Sequence, residues 1–457
     1  MKTMNNVIYI FTIILFYSHF SIAQNKLEFE AFEKKADNYI QALFKNGQFS
    51  GNVLVANKEK IIFNKSYGWS SKRFGVLNNA STKFRIASMT KSFAAISVLQ
   101  LVEKGKLSLD DKISKFLDYP SGDKISIKHL LSHSSGIKRD IHFPNEHKKY
   151  SLEELVNFSK DSLLFKPGTK TAYSNINYIL LQYILEKVEN IDFETYVTNN
   201  VIIPLGLKNT GIEHPMSPPI YLAQGYGPGV DKYGNFEIQE KKMLSHSYSD
   251  AVTALYSTTE DMYKFCQQLG KSPILKEETW QLAFEPVIVE NPMINWGLGF
   301  TIIGNKKMNI KVLNHNGRTT GFKGGFYQDL KDDLTIIVLG NYSEVSRGLI
   351  VNTLQSILEN REYYQPNVYT KIEIDSGLLK EYIGEFKTEN FIFEITEFNN
   401  QLYIQSHGDA PSLINSYKKD SFFSEFFDLN ISFKRKNGIV TEAEWKYNGK
   451  SINGIKK

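Results

Sequence analysis

The sequence predicts an α/β (α+β) chain: a sheet packed against helices around a helical middle, followed by a small C-terminal all-β domain. Three observations carry this. Short apolar runs of strand type stand near residue 50 and again from Trp296 onward, and helical periodicities fill 88–200 between them. From about residue 376 the pattern changes to short alternating strands. With 457 residues, 42% of them hydrophobic and 23% charged, the chain is globular and long enough for two or three domains and a large core.

The first segment reads as a secretory leader. Lys2 gives a short positive start, Val7 to Tyr17 is nearly all apolar, and Ser21-Ile22-Ala23 places small residues where a cleavage site needs them. Cleavage after Ala23 makes the mature chain periplasmic or secreted, with no stable membrane span left, since no other stretch approaches spanning length. The formal net charge of +5 is spread over many Lys and Glu without a basic run, which argues against nucleic acid as a partner. The single cysteine, Cys266, excludes an intramolecular disulfide framework, and its place after Met262 and Phe265 gives it a packing role.

Leu27 to Phe44 follows as an amphipathic helix closed by Asn46-Gly47. Phe49 to Gly68 is a hairpin around the polar turn Asn57-Lys58-Glu59-Lys60. An amphipathic helix begins near Ser88, with Ile96, Leu99, Leu101 and Val102 at helical spacing. Ser151-Leu152-Glu153-Glu154 is a capping-box start, and Ile176, Ile179, Leu180, Tyr183, Ile184 and Val188 form a 3.6-period stripe. Residues 212–250 read as extended loop, and Ser257 to Asp261 opens another helix. Strands are expected at Leu298–Ile303, Ile310–His315, Phe326–Tyr327 and Leu334–Leu339, before a helix over Val345–Glu359. Gly321 to Gly325 reads as a loop between strands. Pro366 marks a boundary, so the domains are 24–365 and 376–457 after the 1–23 leader, the last a small antiparallel sheet or half-barrel with hairpin turns at Asn437-Gly438 and Asn448-Gly449.

Ser88 precedes Lys91 by three residues, so at the start of a helix the two side chains share one face. A serine hydroxyl is a poor nucleophile until a neighbour takes its proton, and the pair supplies both parts. Further along stand Tyr173-Ser174-Asn175 and His315-Asn316-Gly317. In that order the three motifs resemble those of the serine β-lactamase and penicillin-binding protein superfamily, and the tyrosine in the second is similar to the class C β-lactamase and DD-peptidase-like branch. His129 to Gly136, Pro167-Gly168-Thr169 and Pro204 to Leu207 resemble the family's habitual segments, over roughly residues 35 to 355. The resemblance implies a β-lactamase-like fold, with an antiparallel sheet flanked by helices plus an all-helical subdomain. It also implies a lipocalin-like C-terminal β domain, expected to border or plug the cleft.

As catalytic residues the resemblance implies Ser88, Lys91 and Tyr173. Free Lys and Tyr titrate near ~10.4 and ~10, so one must be shifted to accept the serine proton, and which one is left open. Asn175 is expected to bond both the lysine amine and a substrate amide. Gly317 would let substrate backbone approach at the end of a strand. The backbone N–H groups of Ser88 and Arg318 would form an oxyanion hole. His315 would bond Tyr173 or act as a weak cation, and it stands where class C enzymes usually carry lysine. Arg318 either forks a carboxylate or faces solvent. Ala251-Val252-Thr253-Ala254 is bulkier than the glycine-rich version of relatives. His129 and His133 have metal spacing but no third ligand, so no metal is assigned, and no cofactor. The resemblance implies a peptidase or esterase of DD-peptidase or D-aminopeptidase type, cleaving an amide or ester through a Ser88 acyl-enzyme in a small-molecule or peptide substrate, peptidoglycan stems included. The sequence leaves open a class C-like β-lactamase and a catalytically silent penicillin-binding or sensor protein.

Overall fold

Residues 27–457 are described by a computed structural model, apart from 143–144, 146–147, 149, 215, 232–235, 242–249, 305–310, 407–410, 425–428 and 448–449. The leader at 1–23 and the Asn448-Gly449 turn lie outside the described residues. Helix α1 (27–45) buries Phe32, Ala36, Tyr39, Ile40 and Leu43, one stripe at helical spacing. The hairpin of β1 (Gly51–Asn57) and β2 (Lys60–Tyr67) turns through Lys58 and Glu59 alone, both with positive φ (49° and 62°), the backbone that a two-residue turn between twisted strands requires.

Five later strands join this hairpin: β3 (Ile294–Trp296), β4 (Thr301–Ile303), β5 (Val312–Thr319), β6 (Phe322–Asp329) and β7 (Leu334–Gly340). They form one antiparallel sheet in the order β3-β4-β5-β6-β7-β1-β2, so the two ends of the domain meet where β7 pairs with β1, Val338 opposite Val53. Two strands run longer than expected. β5 carries His315-Asn316-Gly317 in mid-strand instead of at its end, and Gly324 and Gly325 belong to β6 instead of a loop.

One face of the sheet packs on α2 (Thr90–Glu103) and the helices beyond it. The expected amphipathic pattern of α2 is not met: Thr90 to Leu101 are all buried, Lys91, Ser92 and Ser97 included. The helix lies between the sheet and the helical subdomain, and a helix covered on all sides shows no polar stripe. That subdomain contains α3 (Ile127–Leu131) and α4 (Leu152–Phe158), both opened by capping boxes from Ser126 and Ser151, then α5 (Ile176–Glu189) and α6 (Phe193–Val197). α7 (Asp250–Thr253), α8 (Thr259–Gln268) and α9 (Glu277–Ala283) return the chain to the sheet. The other face packs on α1 and α10 (Arg347–Leu358).

After α11 (Ser376–Tyr382) the chain closes a full barrel. Its strands are β8 (Gly384–Lys387), β9 (Ile392–Phe398), β10 (Gln401–Ser406), β11 (Ser412–Lys418), β12 (Ser421–Phe423), β13 (Leu429–Lys436), β14 (Ile439–Tyr447) and β15 (Lys450–Lys456). Each pairs with the next, and Phe386 opposite Lys456 seals the ring. Closure removes the exposed edges that a half-barrel would leave. The inside is filled: Phe386 stacks on Phe393 at 5.3 Å, and Tyr382 of α11 sits 4.7 Å from Phe433. Tyr403 and Leu413 instead join the core under α1 and α10. Among the described residues, no helix is long and apolar enough to cross a membrane.

Candidate active site

The candidate site is a cleft of about 710 Å³ between the sheet and the helical subdomain, lined by Ser88, Tyr173, Trp296, His315 to Arg318 and the start of α10. No barrel residue lines it among the described residues, so the expectation that the β domain borders or plugs the cleft is corrected. The barrel instead docks through Tyr403 and Leu413 on the α1 and α10 face, and the segment leading to it is held there by Asn46, whose Nδ2 donates to the Asn367 carbonyl at 2.6 Å.

Ser88 sits in a 3₁₀ turn (Ala87–Met89) leading into α2. Ala87 before it holds φ at 50°, a left-handed conformation that costs a non-glycine residue about 1–2 kcal/mol. Gly317 of β5 lies against this turn, where a Cβ would stand 2.1 Å from the Ile86 carbonyl oxygen, so only glycine fits. The turn and the strand therefore form one wall.

Lys91, one turn along, is wholly buried, with Nζ 3.0 Å from Ser88 Oγ. Nζ donates to the Val252 carbonyl at 3.1 Å and lies 5.3 and 5.7 Å from the rings of Tyr173 and Tyr178. Burial pushes its pKa well below the ordinary lysine value, with Asp140 opposing and Arg139 assisting. Tyr173 hydrogen-bonds Ser88, and burial pushes its phenol up to about 12 against the pull of that bond and of Arg139. Of the two candidate bases, the lysine is shifted toward its neutral form and the tyrosine away from phenolate.

His133 holds Tyr173 in place. Its carbonyl accepts the Ala172 N–H at 2.9 Å, its Nδ1 accepts the Ser174 N–H at 3.1 Å, and its ring lies 4.4 Å from the Tyr173 ring. The proton is therefore on Nε2. His129 instead caps α3 through the Ser126 N–H at 3.2 Å. Asn175 departs from expectation: its Nδ2 donates to Asp140 Oδ1 at 2.6 Å, while the lysine amine is occupied by Ser88 and Val252. The Arg139 carbonyl accepts the Asn175 N–H at 2.8 Å and brings Asp140 within reach.

His315 is buried, with Nδ1 donating to the Asn316 carbonyl at 2.9 Å and Nε2 without a partner. Burial, with Lys91 and Arg347 nearby, lowers its pKa to about 3 against the pull of the Asn316 bond, which disfavours the cation, and among the described residues neither ring nitrogen bonds Tyr173. Arg318 faces the rim, 67% exposed, 3.7 Å from Glu344. Sequence reading passed over Lys323 and Arg347, and it took Val252 as part of a bulky segment without assigning its carbonyl to Lys91. Arg347 opens α10 in the cleft wall, and its Nη1 is buried without a partner. A signal for it existed, since an arginine at a helix start opposes the helix dipole and needs another reason to be there.

A sheet-and-helix domain holding a serine beside a buried lysine and a tyrosine has the makings of a serine acyl-transfer hydrolase. Residues 36–354 match the family model described as Beta-lactamase, and the chain belongs to that family of serine hydrolases. It is 24% identical over 421 residues to penicillin-binding protein 4* of Bacillus subtilis (strain 168), covering 88% of this chain and 93% of that protein. Similar solved structures include the octameric penicillin-binding protein homologue from Pyrococcus abyssi, with TM-score 0.65, 22% identity, and coverage of 92% of this chain and 99% of that one. The D-amino acid amidase from Ochrobactrum anthropi SV3 has TM-score 0.62 at 21% identity, over 72% of this chain and 98% of that one.

Proposed function

We propose that this hydrolase cleaves an amide or ester bond through a Ser88 acyl-enzyme, as a peptidase or esterase of DD-peptidase or D-aminopeptidase type. One observation carries the reading: Ser88 Oγ lies 3.0 Å from the amine of a buried lysine whose neutral form is favoured. In this reading the Lys91 lone pair takes the serine proton as Oγ bonds to the substrate carbonyl carbon. The C–N or C–O bond then breaks, and the proton passes by way of Lys91 and Tyr173 to the leaving atom. Water repeats the sequence to free the acid. The N–H groups of Ser88 and Arg318 receive the oxyanion, where one lost donor costs roughly 3–4 kcal/mol of transition-state stabilisation. Asn175 and His315 are assigned to orienting the substrate. The likeness to a D-amino acid amidase supports D-configured substrates, peptidoglycan stems among them. The leader at 1–23 supports export, with cleavage after Ala23 to be read from the N-terminus of the mature chain.

The test compares the mature protein with its Ser88→Ala variant. The probes are a fluorophosphonate, fluorescent penicillin, nitrocefin, p-nitrophenyl esters and D-amino-acid amides. Labelling and ester or amide turnover that vanish in the variant are expected. Nitrocefin hydrolysis faster than either would make the protein a β-lactamase. No reaction with any probe would make it a silent binding protein.

A further inference from the structure

After β2 the chain leaves the sheet as a small hairpin with strands Trp69–Ser71 and Val76–Leu77. It carries large apolar side chains into solvent: Phe74 is 77% exposed and Leu77 56%, and Trp69 and Val76 are exposed beside them. The hairpin is firmly held, so these side chains form a fixed surface. Asn78 Nδ2 donates to the Tyr67 carbonyl at 2.8 Å and Ser70 Oγ to the Val76 carbonyl at 3.2 Å. Asn341 Nδ2 donates to the Trp69 carbonyl at 2.8 Å, and the Lys72 N–H to the Tyr226 hydroxyl at 2.6 Å. Lys72 and Arg73 precede Phe74, Lys72 exposed with its amine 5.4 Å from the Tyr226 ring and Arg73 3.1 Å from Glu240. The chain has no acidic residue between Glu59 and Glu103, so the hairpin's own charge is wholly positive. Tyr67, Gly51, Gly340 and Lys323 form one row across the sheet. The hairpin therefore leaves from the end that carries Lys323 of the cleft rim, three strand spacings or about 14 Å away.

We propose that this hairpin docks on an anionic lipid bilayer, with Trp69, Phe74, Val76 and Leu77 entering the interfacial layer and Lys72 and Arg73 meeting the headgroups. Apolar surface gains by leaving water. An indole ring suits the headgroup level, phenyl and leucyl groups suit the acyl boundary, and each cation is drawn to an anionic leaflet. Other occupants fit less well. A glycan strand stacks on aromatic faces and gives Val76 and Leu77 nothing to pack on. A second copy of this chain needs roughly 800 Å² per partner, more than four side chains supply. A two-fold contact would also bring Lys72 and Arg73 against the same cations of the other copy. Because the hairpin is already ordered, docking costs little conformational entropy. Docking brings the cleft rim to the lipid surface, and it is independent of the acyl-enzyme reading.

The test uses the whole mature protein and sucrose-loaded vesicles, one set of phosphatidylcholine and one a two-to-one mixture with phosphatidylglycerol. Co-sedimentation is expected with the mixed vesicles, tighter than with the neutral ones by about tenfold or more at low salt, and by less at high salt. Phe74→Asp with Leu77→Asp is expected to weaken binding to the mixed vesicles by about tenfold or more. Lys72→Glu with Arg73→Glu is expected to remove the preference for them. All four positions are exposed, so the melting temperature of both paired variants is expected to stay near the parent's. Brominated lipid is expected to quench part of the tryptophan fluorescence, and Trp69→Phe to abolish that part. Failure to sediment with the mixed vesicles overturns the proposal, as does binding that both paired variants leave unchanged. Binding to insoluble peptidoglycan, or a concentration-dependent dimer, in the absence of vesicle binding also overturns it and assigns the hairpin to a glycan or to a second copy.

Discussion

A lysine amine wholly buried at the head of α2, hydrogen-bonded among the described residues to a hydroxyl and a carbonyl, sets the chemistry of this site. Burial holds its folded pKa below the unfolded value of about 10.4. Below the folded pKa the amine is protonated and the serine proton has no acceptor, so acylation falls on the acid side. The acid limb of kcat/KM is expected well below the ordinary lysine range. With Tyr173 at about 12, no tyrosine limb should follow through pH ~8–10, so the profile should be a rise to a plateau. The same shift bears on stability. Between the folded pKa and about 10.4 the unfolded chain binds the proton that the folded chain lacks, so this lysine destabilises the fold there, and less as pH rises toward 10.4. Lys91→Met is therefore expected to raise stability at pH 7 by about 0.5–2 kcal/mol while abolishing labelling of Ser88. Denaturant melts at pH 7 and near pH 10 check it: a gain that is not larger at pH 7 contradicts the assignment.

At the scale of elements, the site depends on how closely the 3₁₀ turn of Ser88 approaches β5. Ala87 in a left-handed conformation and Gly317 without a side chain both serve that approach. Strain of this kind persists only where the surrounding packing enforces it. Gly317→Ala would place a methyl 2.1 Å from the Ile86 carbonyl oxygen, so the turn and the strand must separate. A displacement of about 1 Å at a reacting atom can cost on the order of 10²-fold in rate. The expected outcome is a kcat lower by about that factor, with a stability loss of roughly 1–3 kcal/mol from overpacking. Steady-state kinetics on a p-nitrophenyl ester and a urea melt measure both, and unchanged kcat would show that the wall does not align the serine.

At the scale of the whole molecule, local signals and long-range ones were not equally legible. Ser88, Lys91 and Tyr173 could be read because their types and order carry chemistry, and α1 and α5 because one face of each repeats at helical spacing. The burial of α2 could not, because its neighbours on every side come from distant parts of the chain. Arg347 went unassigned for the same reason: its place at a helix start was a signal, but the cleft it lines exists only once α10 packs behind β6. The barrel's strands were legible from alternation, but its closure and docking were not, since Phe386 meets Lys456 across 70 residues. That docking yields a last prediction. Tyr403 and Leu413 point out of the barrel into the core beneath α1 and α10, on the sheet face away from α2 and Lys91. Burying a charge there without a partner costs several kcal/mol, which the interface escapes by opening. Leu413→Asp with Tyr403→Asp should release the barrel from α1, lower the melting temperature and make residues 360–375, which join the two parts, a protease target. Because no described barrel residue lines the cleft, kcat/KM on a small ester should stay within about twofold of the parent at temperatures below the new melt, as expected for distant, independent sites. A large loss of kcat/KM in a variant that remains folded would mean that the barrel supports the cleft through the α10 layer.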